Sequence, residues 1–329
     1  MHSITLRVER PYNLELTLRP SFVSSLFERE NSCWTKTRGL DIGFKVRQLD
    51  NGNLKCSVPD DMDARRIRLI LGLWTPPFEH RVRTIRDGRC REILNALAKV
   101  YQGVRLPVAP WDFSWLLLAI ILSRRADYER MVLRWCARVA ELVGNNPWRL
   151  LRIEPEILTR AVGRSYQVIE AIEILRRVKK LVLEEGLAED HDEDLLEAAR
   201  RLPSMGSWRL RQFLLRCKGI GPKIADSIVM VTCKDTSFAP ADTHLVVVSR
   251  RLGIAAGKVM PDKKYCIEYR CRECPIREEC IRGYVYLKLG EFAGWYQTLT
   301  YLHGRFICHK LRPRCEECVL QALCEEGSE

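Results

Sequence analysis

The chain has 329 residues, a formal net charge of +12 and 47% hydrophobic residues. At about 150 residues per domain this length suggests two domains, or three with a small one, and the apolar fraction excludes a disordered chain. No run approaches the ~20 apolar residues that span a bilayer, and the polar start lacks a basic-then-apolar export pattern, so an intracellular (cytoplasmic or nucleoid) protein with no membrane contact is expected.

In chain order, residues 1 to about 60 alternate apolar and polar in short runs, among them Asn13-Leu14-Glu15-Leu16-Thr17-Leu18 and Gly43-Phe44-Lys45-Val46. Asp50-Asn51-Gly52-Asn53 is a strong hairpin turn signal. An antiparallel sheet is predicted here. From about Asp63 the period becomes helical: Ile67, Ile70 and Leu71, then Ile93, Leu94, Leu97 and Val100. Leu106-Pro107-Val108-Ala109-Pro110 interrupts the helices, and Trp111-Asp112 opens a long helical region that includes the apolar run Trp115 to Leu122. Helix signals continue to about 250. Residues 253 to 283 are polar, carry cysteines and look like an insertion.

The most informative stretch runs from Trp208 to Met230. An amphipathic helix leads into Lys218-Gly219-Ile220-Gly221-Pro222, and a second helix starts near Pro222, where the missing N–H of proline costs nothing. Backbone N–H groups of Gly219, Ile220 and Gly221, with the positive end of the new helix, would make a phosphate seat indifferent to base sequence. A glycine turn between two core helices explains the same pattern equally well. Two neighbours add weight. Lys223 lies in the first turn of the second helix, where the helix dipole and partial burial favour an amine nucleophile able to form a Schiff base. Nineteen residues on, Asp242 in Pro240-Ala241-Asp242-Thr243-His244 precedes an apolar helix in the position of an N-cap. His244 reads as a structural histidine on that helix.

Lys218-Gly-Ile-Gly-Pro-Lys223-Ile-Ala followed by Pro240-Ala-Asp242-Thr-His resembles the helix-hairpin-helix, Gly/Pro-rich loop, aspartate signature of base-excision DNA glycosylases such as endonuclease III and the 8-oxoguanine glycosylases. The resemblance covers roughly residues 106 to 329. It implies that Lys223 marks the bifunctional branch, which removes a base and then nicks the strand, and that Asp242 is catalytic. It also implies a flipped nucleotide, since C1′ is out of reach inside a duplex. Near Leu122-Ser123-Arg124-Arg125-Ala126-Asp127, relatives place a Gln or Asn that fills the gap left by the flipped base; Arg125 stands there and would hydrogen-bond the orphan base, or is an ordinary surface arginine. Residues 1 to 105 resemble the extra N-terminal domain of 8-oxoguanine glycosylase and 3-methyladenine glycosylase II. Val23-Ser24 replaces the Gly-Gln of the stretch with which the 8-oxoguanine enzymes read the oxidised purine.

Of 14 cysteines, eight fall between Cys266 and Cys324, a clustering that reads as metal chemistry. Cys308-x6-Cys315-x2-Cys318-x5-Cys324 can wrap one metal centre, and four such cysteines alone suit Zn or iron–sulfur equally. The resemblance to endonuclease III implies a [4Fe–4S] cluster, with Lys310 and Arg312 in a basic loop that would touch phosphates. Cys266-x4-Cys271-x2-Cys274-Pro275-x4-Cys280 has no counterpart in the common relatives; a second iron–sulfur cluster, Zn or disulfides would each satisfy it.

The expected fold is therefore α+β: an N-terminal antiparallel β domain with helices (1–105), a helical domain with the helix-hairpin-helix motif at 208–232 and the aspartate loop (106–252), and a cysteine-rich C-terminal region (253–329). The expected function is a monomeric bifunctional DNA glycosylase/AP lyase acting on double-stranded DNA that carries an oxidised base or an abasic site. The alternatives are an alkylated-base glycosylase on the same fold, against which Lys223 argues, and a non-catalytic DNA-binding scaffold, which would need neither Lys223 nor Asp242.

Overall fold

The structure, a computed structural model, describes residues 1–163 and 165–325. Strands β1 (His2–Leu6), β2 (Phe27–Glu30), β3 (Cys33–Lys36), β4 (Lys45–Gln48) and β5 (Leu54–Val58) form one antiparallel sheet in the order β1-β5-β4-β3-β2. The β4–β5 hairpin turns at Asp50–Asn53, with Gln48 opposite Leu54. One expectation fails. Leu14–Leu18 alternates like a strand but forms a short helix, α1. Asn13 caps it by accepting the Leu16 N–H at 2.9 Å, and Leu14, Thr17 and Leu18 share one buried face. Over five residues an i, i+2, i+4 pattern and an i, i+3, i+4 pattern overlap, so the cap decides.

Helices make up most of the chain after the sheet: α2 (Ala64–Ile70), α3 (Gly88–Val100), α4 (Phe113–Leu122), α5 (Leu133–Val143), α6 (Pro155–Val162), α7 (Tyr166–Glu184), α8 (Asp192–Arg201), α9 (Ser207–Arg216), α10 (Pro222–Thr232), α11 (Thr243–Arg251), α12 (Lys263–Glu268), α13 (Ile281–Leu289) and α14 (Ala293–Phe306). The run Trp115–Leu122 lies in α4, where all ten residues are buried. No described helix is long and apolar enough to cross a membrane.

Two cores hold these elements. The larger joins the inner face of the sheet (Phe27, Trp34, Val46, Cys56) to α4, α5, α7 and the α9–α10 pair. The other gathers α3, α11, α13 and α14 around Trp295 and Tyr296. A fully buried ion pair, Lys36 Nζ to Asp112 at 3.0 Å, ties β3 to the entry of α4. Because the sheet and α4 share one core, the first hundred residues help to shape the cavity that Lys223 lines.

Candidate active site

Helices α9 and α10 enclose the sequence-predicted hairpin. Gly219 adopts φ +99°, and a Cβ there would stand 2.8 Å from the Ile174 side chain, so this turn requires glycine on both counts. Ile220 is buried and its N–H donates to Cys217 O at 3.2 Å; its part in the hairpin is to anchor it, which leaves the phosphate-seat expectation to the flanking glycines. Gly221 faces open space, and Pro222 starts α10. A cavity of ≈ 270 Å³ lies over Gly219, Gly221 and Lys223.

Lys223 is half-buried in the first turn of α10 and also reaches a second cavity, of ≈ 370 Å³, whose other lining residues include Asp242, Arg125, His244, Gln297 and Tyr301. A cavity of this size falls within the range of small-ligand pockets. Asp242 has the N-cap position expected of it: Oδ1 accepts the Leu245 N–H at 2.7 Å, while Oδ2 accepts from Gln297 Nε2 at 2.9 Å. Both carboxylate oxygens are thus fixed by donors. Arg125 is exposed at the cavity edge in a left-handed conformation, φ +54°. Its neighbour Arg124 pairs with Glu170.

Several wall residues carry no sequence signal of their own. Gln297 lies on α14, 55 residues from Asp242. His244 packs edge-on against Tyr301 with ring centroids 5.1 Å apart, and burial pushes its pKa down against the pull of Asp242. Phe22 meets Tyr128 edge to face at 5.2 Å, so the N-terminal segment forms one wall, with Val23 and Ser24 buried behind it. At the rim Glu129 accepts from Arg19 Nε at 2.8 Å and pairs with Arg305 at 3.2 Å. These cations hold its carboxyl below the ordinary range, the Arg19 hydrogen bonds foremost.

Beyond α14 the chain forms the cysteine loop, with Lys310 and Arg312 exposed and away from the cavity. Cys308, Cys315, Cys318 and Cys324 all line one cavity of ≈ 90 Å³. Arg251 Nη1 donates to Cys308 Sγ at 3.3 Å, and His303 Nε2 lies 3.3 Å from Cys318 Sγ. Burial lowers the His303 pKa to about 4, so its ring is neutral at pH 7. Among the described residues no three His, Cys, Asp or Glu side chains converge on a single-ion position. The donor set, four thiols with an arginine and an imidazole N directed at sulfur, fits a negatively charged group of several ångströms such as an iron–sulfur cluster.

No family model matches the chain. It is 31% identical over 117 residues to endonuclease III of Sulfolobus acidocaldarius, covering 36% of this chain and 45% of that one; the chain thus spans under half the length of that relative. A Clostridium acetobutylicum 8-oxoguanine glycosylase/lyase bound to DNA superposes with a TM-score of 0.66 at 15% identity, over 92% of this chain and 95% of the other. A trapped endonuclease III–DNA covalent intermediate gives 0.51 at 18%, over 76% and 96%. The chain is thus similar in part of its sequence to endonuclease III, and in fold to DNA glycosylases. It pairs a sheet-bearing N-terminal region with a cysteine-rich C-terminal one. Lys223 and Asp242 line one cavity, with Arg125 at its edge; Lys310 and Arg312 lie apart on the C-terminal loop.

Proposed function

We propose that the protein is a bifunctional DNA glycosylase/AP lyase of base excision repair, acting on an oxidised base. The observation that carries this reading is that Lys223 and Asp242, separate in sequence, line the same ≈ 370 Å³ cavity. A damaged nucleotide flipped from duplex DNA would occupy that cavity, while the hairpin glycines take a backbone phosphate and Arg125 fills the vacated position. The net charge of +12 suits such a polyanionic partner.

In the chemistry proposed, the Lys223 amine attacks C1′ and the glycosidic bond breaks, its electron pair leaving with the base. Asp242, ionised, stabilises positive charge developing on the sugar and helps take the proton from the attacking nitrogen. Opening of the C1′–O4′ bond gives an imine; loss of a C2′ proton then expels the 3′ phosphate, and water hydrolyses the imine to restore the amine. The similarity to a glycosylase/lyase and to an endonuclease III trapped covalently on DNA supports this sequence of steps. Cys308, Cys315, Cys318 and Cys324 would hold a [4Fe–4S] cluster that fixes the basic loop carrying Lys310 and Arg312 against the duplex, apart from the chemical steps.

Borohydride reduction with abasic or lesion-bearing oligonucleotides tests the reading. A covalent adduct that vanishes in Lys223→Ala and survives in Arg125→Ala is expected. No adduct with any lesion would overturn it in favour of a DNA-binding scaffold.

A further inference from the structure

We infer that Cys266, Cys271, Cys274 and Cys280 hold a second iron–sulfur cluster, set against a buried cationic cage that ties it to the helix carrying Lys223. The two cysteine groups share the spacing of their last three cysteines. Arg270-Cys271-Arg272-Glu273-Cys274 and Arg314-Cys315-Glu316-Glu317-Cys318 share the pattern Arg-Cys-x-Glu-Cys, and each is followed after five residues by the next cysteine, Cys280 or Cys324. The first interval differs, Cys266-x4-Cys271 against Cys308-x6-Cys315, while the shared Cys-x2-Cys-x5-Cys part suits the same kind of centre.

The local structure agrees. Between Ile267 and Glu279 most residues are exposed, yet Cys271 and Cys274 are only 6% and 8% exposed, and Cys266 and Cys280 are buried with them. All four cysteines line one cleft, and Cys280 pairs with Val259 in an isolated bridge. The cleft measures ≈ 10 Å³ against ≈ 90 Å³ at the other site.

Charge supplies the independent argument. Arg282 is 1% exposed and donates from Nη1 to Cys271 Sγ at 2.6 Å, while its Nη2 has no hydrogen-bond partner. Trp208, Phe238 and Tyr286 surround its guanidinium at 4.8–5.5 Å. Arg211, fully buried, donates to Asp226 at 2.6 Å and to Cys266 O at 3.0 Å. Among the described residues the carboxylate that pairs with these two arginines is that of buried Asp226, which leaves an excess positive charge in the interior. Buried charge of that kind calls for a compensating anion, and a cluster ligated by four thiolates is one. Asp226 sits three residues past Lys223 on α10, so the same cage joins the cluster to both arms of the hairpin.

The test is metal content. The full-length protein, purified without oxygen, is expected to contain about eight iron and eight sulfide per chain, and the double variant Cys271→Ser/Cys274→Ser about four of each. Reduced wild-type protein should give an electron paramagnetic resonance signal that integrates to about two spins per chain, a readout that needs no variant to fold. Four iron alone, or four iron with one zinc, in the wild type would overturn the inference. It stands apart from the base-excision reading: two clusters without any DNA adduct would remove only the latter.

Discussion

Gln297 Nε2 donates a 2.9 Å hydrogen bond to Oδ2 of Asp242, the carboxylate whose Oδ1 caps α11 through Leu245 N–H. One oxygen serves the helix and the other is oriented from α14, so folding and chemistry draw on different atoms of one side chain. Asp242→Asn keeps a good N-cap and removes the charge. Its thermal midpoint should stay within a few degrees of wild type while single-turnover excision falls by about 10²-fold or more. Gln297→Ala removes a hydrogen bond to a charged acceptor, worth about 1.5–3 kcal/mol, and should slow excision roughly 10- to 100-fold by the same assay.

The hairpin glycines separate in the same way. Gly219→Ala forces a β-carbon against Ile174 in a left-handed turn, and should destabilise by about 1–3 kcal/mol in denaturant titrations. Gly221→Ala meets no atom within 4 Å and keeps an allowed φ of −102°. Its stability should equal wild type while its affinity for undamaged duplex drops, as read by fluorescence anisotropy at fixed salt. Unchanged affinity would remove the hairpin from the DNA interface.

Gly304 supports the cavity wall from behind. A β-carbon there would stand 2.6 Å from His244 Nδ1, and the ring it would push packs edge-on against Tyr301. Gly304→Ala should therefore lower both stability, by about 1–3 kcal/mol, and excision. Gly304→Ala combined with His244→Ala should recover the stability.

Acid sensitivity is expected where α3 meets α13. Asp87 accepts the Cys90 N–H at the start of α3 and pairs with Lys288 at 2.9 Å; the backbone donor first, then the ammonium, hold its pKa to about 2. A depressed carboxyl contributes its stability fully above its unfolded value near 4. That contribution is lost as pH falls from about 4 towards 2. Asp87→Ala should cost about 1 kcal/mol at pH 7, and its gap to wild type should narrow steadily in thermal melts below pH 4.

Much of this architecture was readable from residues. Gly-Ile-Gly-Pro with Lys223 marked both the hairpin and the helix that starts at its end, because proline and glycine restrict the backbone locally. Asp242 was legible as a cap for the same reason. Leu14–Leu18 was not, since five residues hold too little periodicity to separate helix from strand. Gln297, Tyr301 and Phe22 were invisible for another reason: they reach the cavity through packing between segments up to 279 positions apart, from Phe22 to Tyr301, and no local pattern encodes such a meeting. Arg282 was hidden likewise, a lone arginine whose meaning rests on what is buried around it.

Glu129 clasps Arg19 from the beginning of the chain and Arg305 from near its end. The rim of the cavity is therefore knotted together from three distant stretches of polypeptide. A fragment beginning at residue 106 would keep Lys223, Asp242 and all eight clustered cysteines, yet it would lose Pro20, Phe22 and one strand of that knot. Trimming this protein to the portion it shares with shorter relatives would unlace the mouth of its cavity while sparing every residue proposed to do the chemistry.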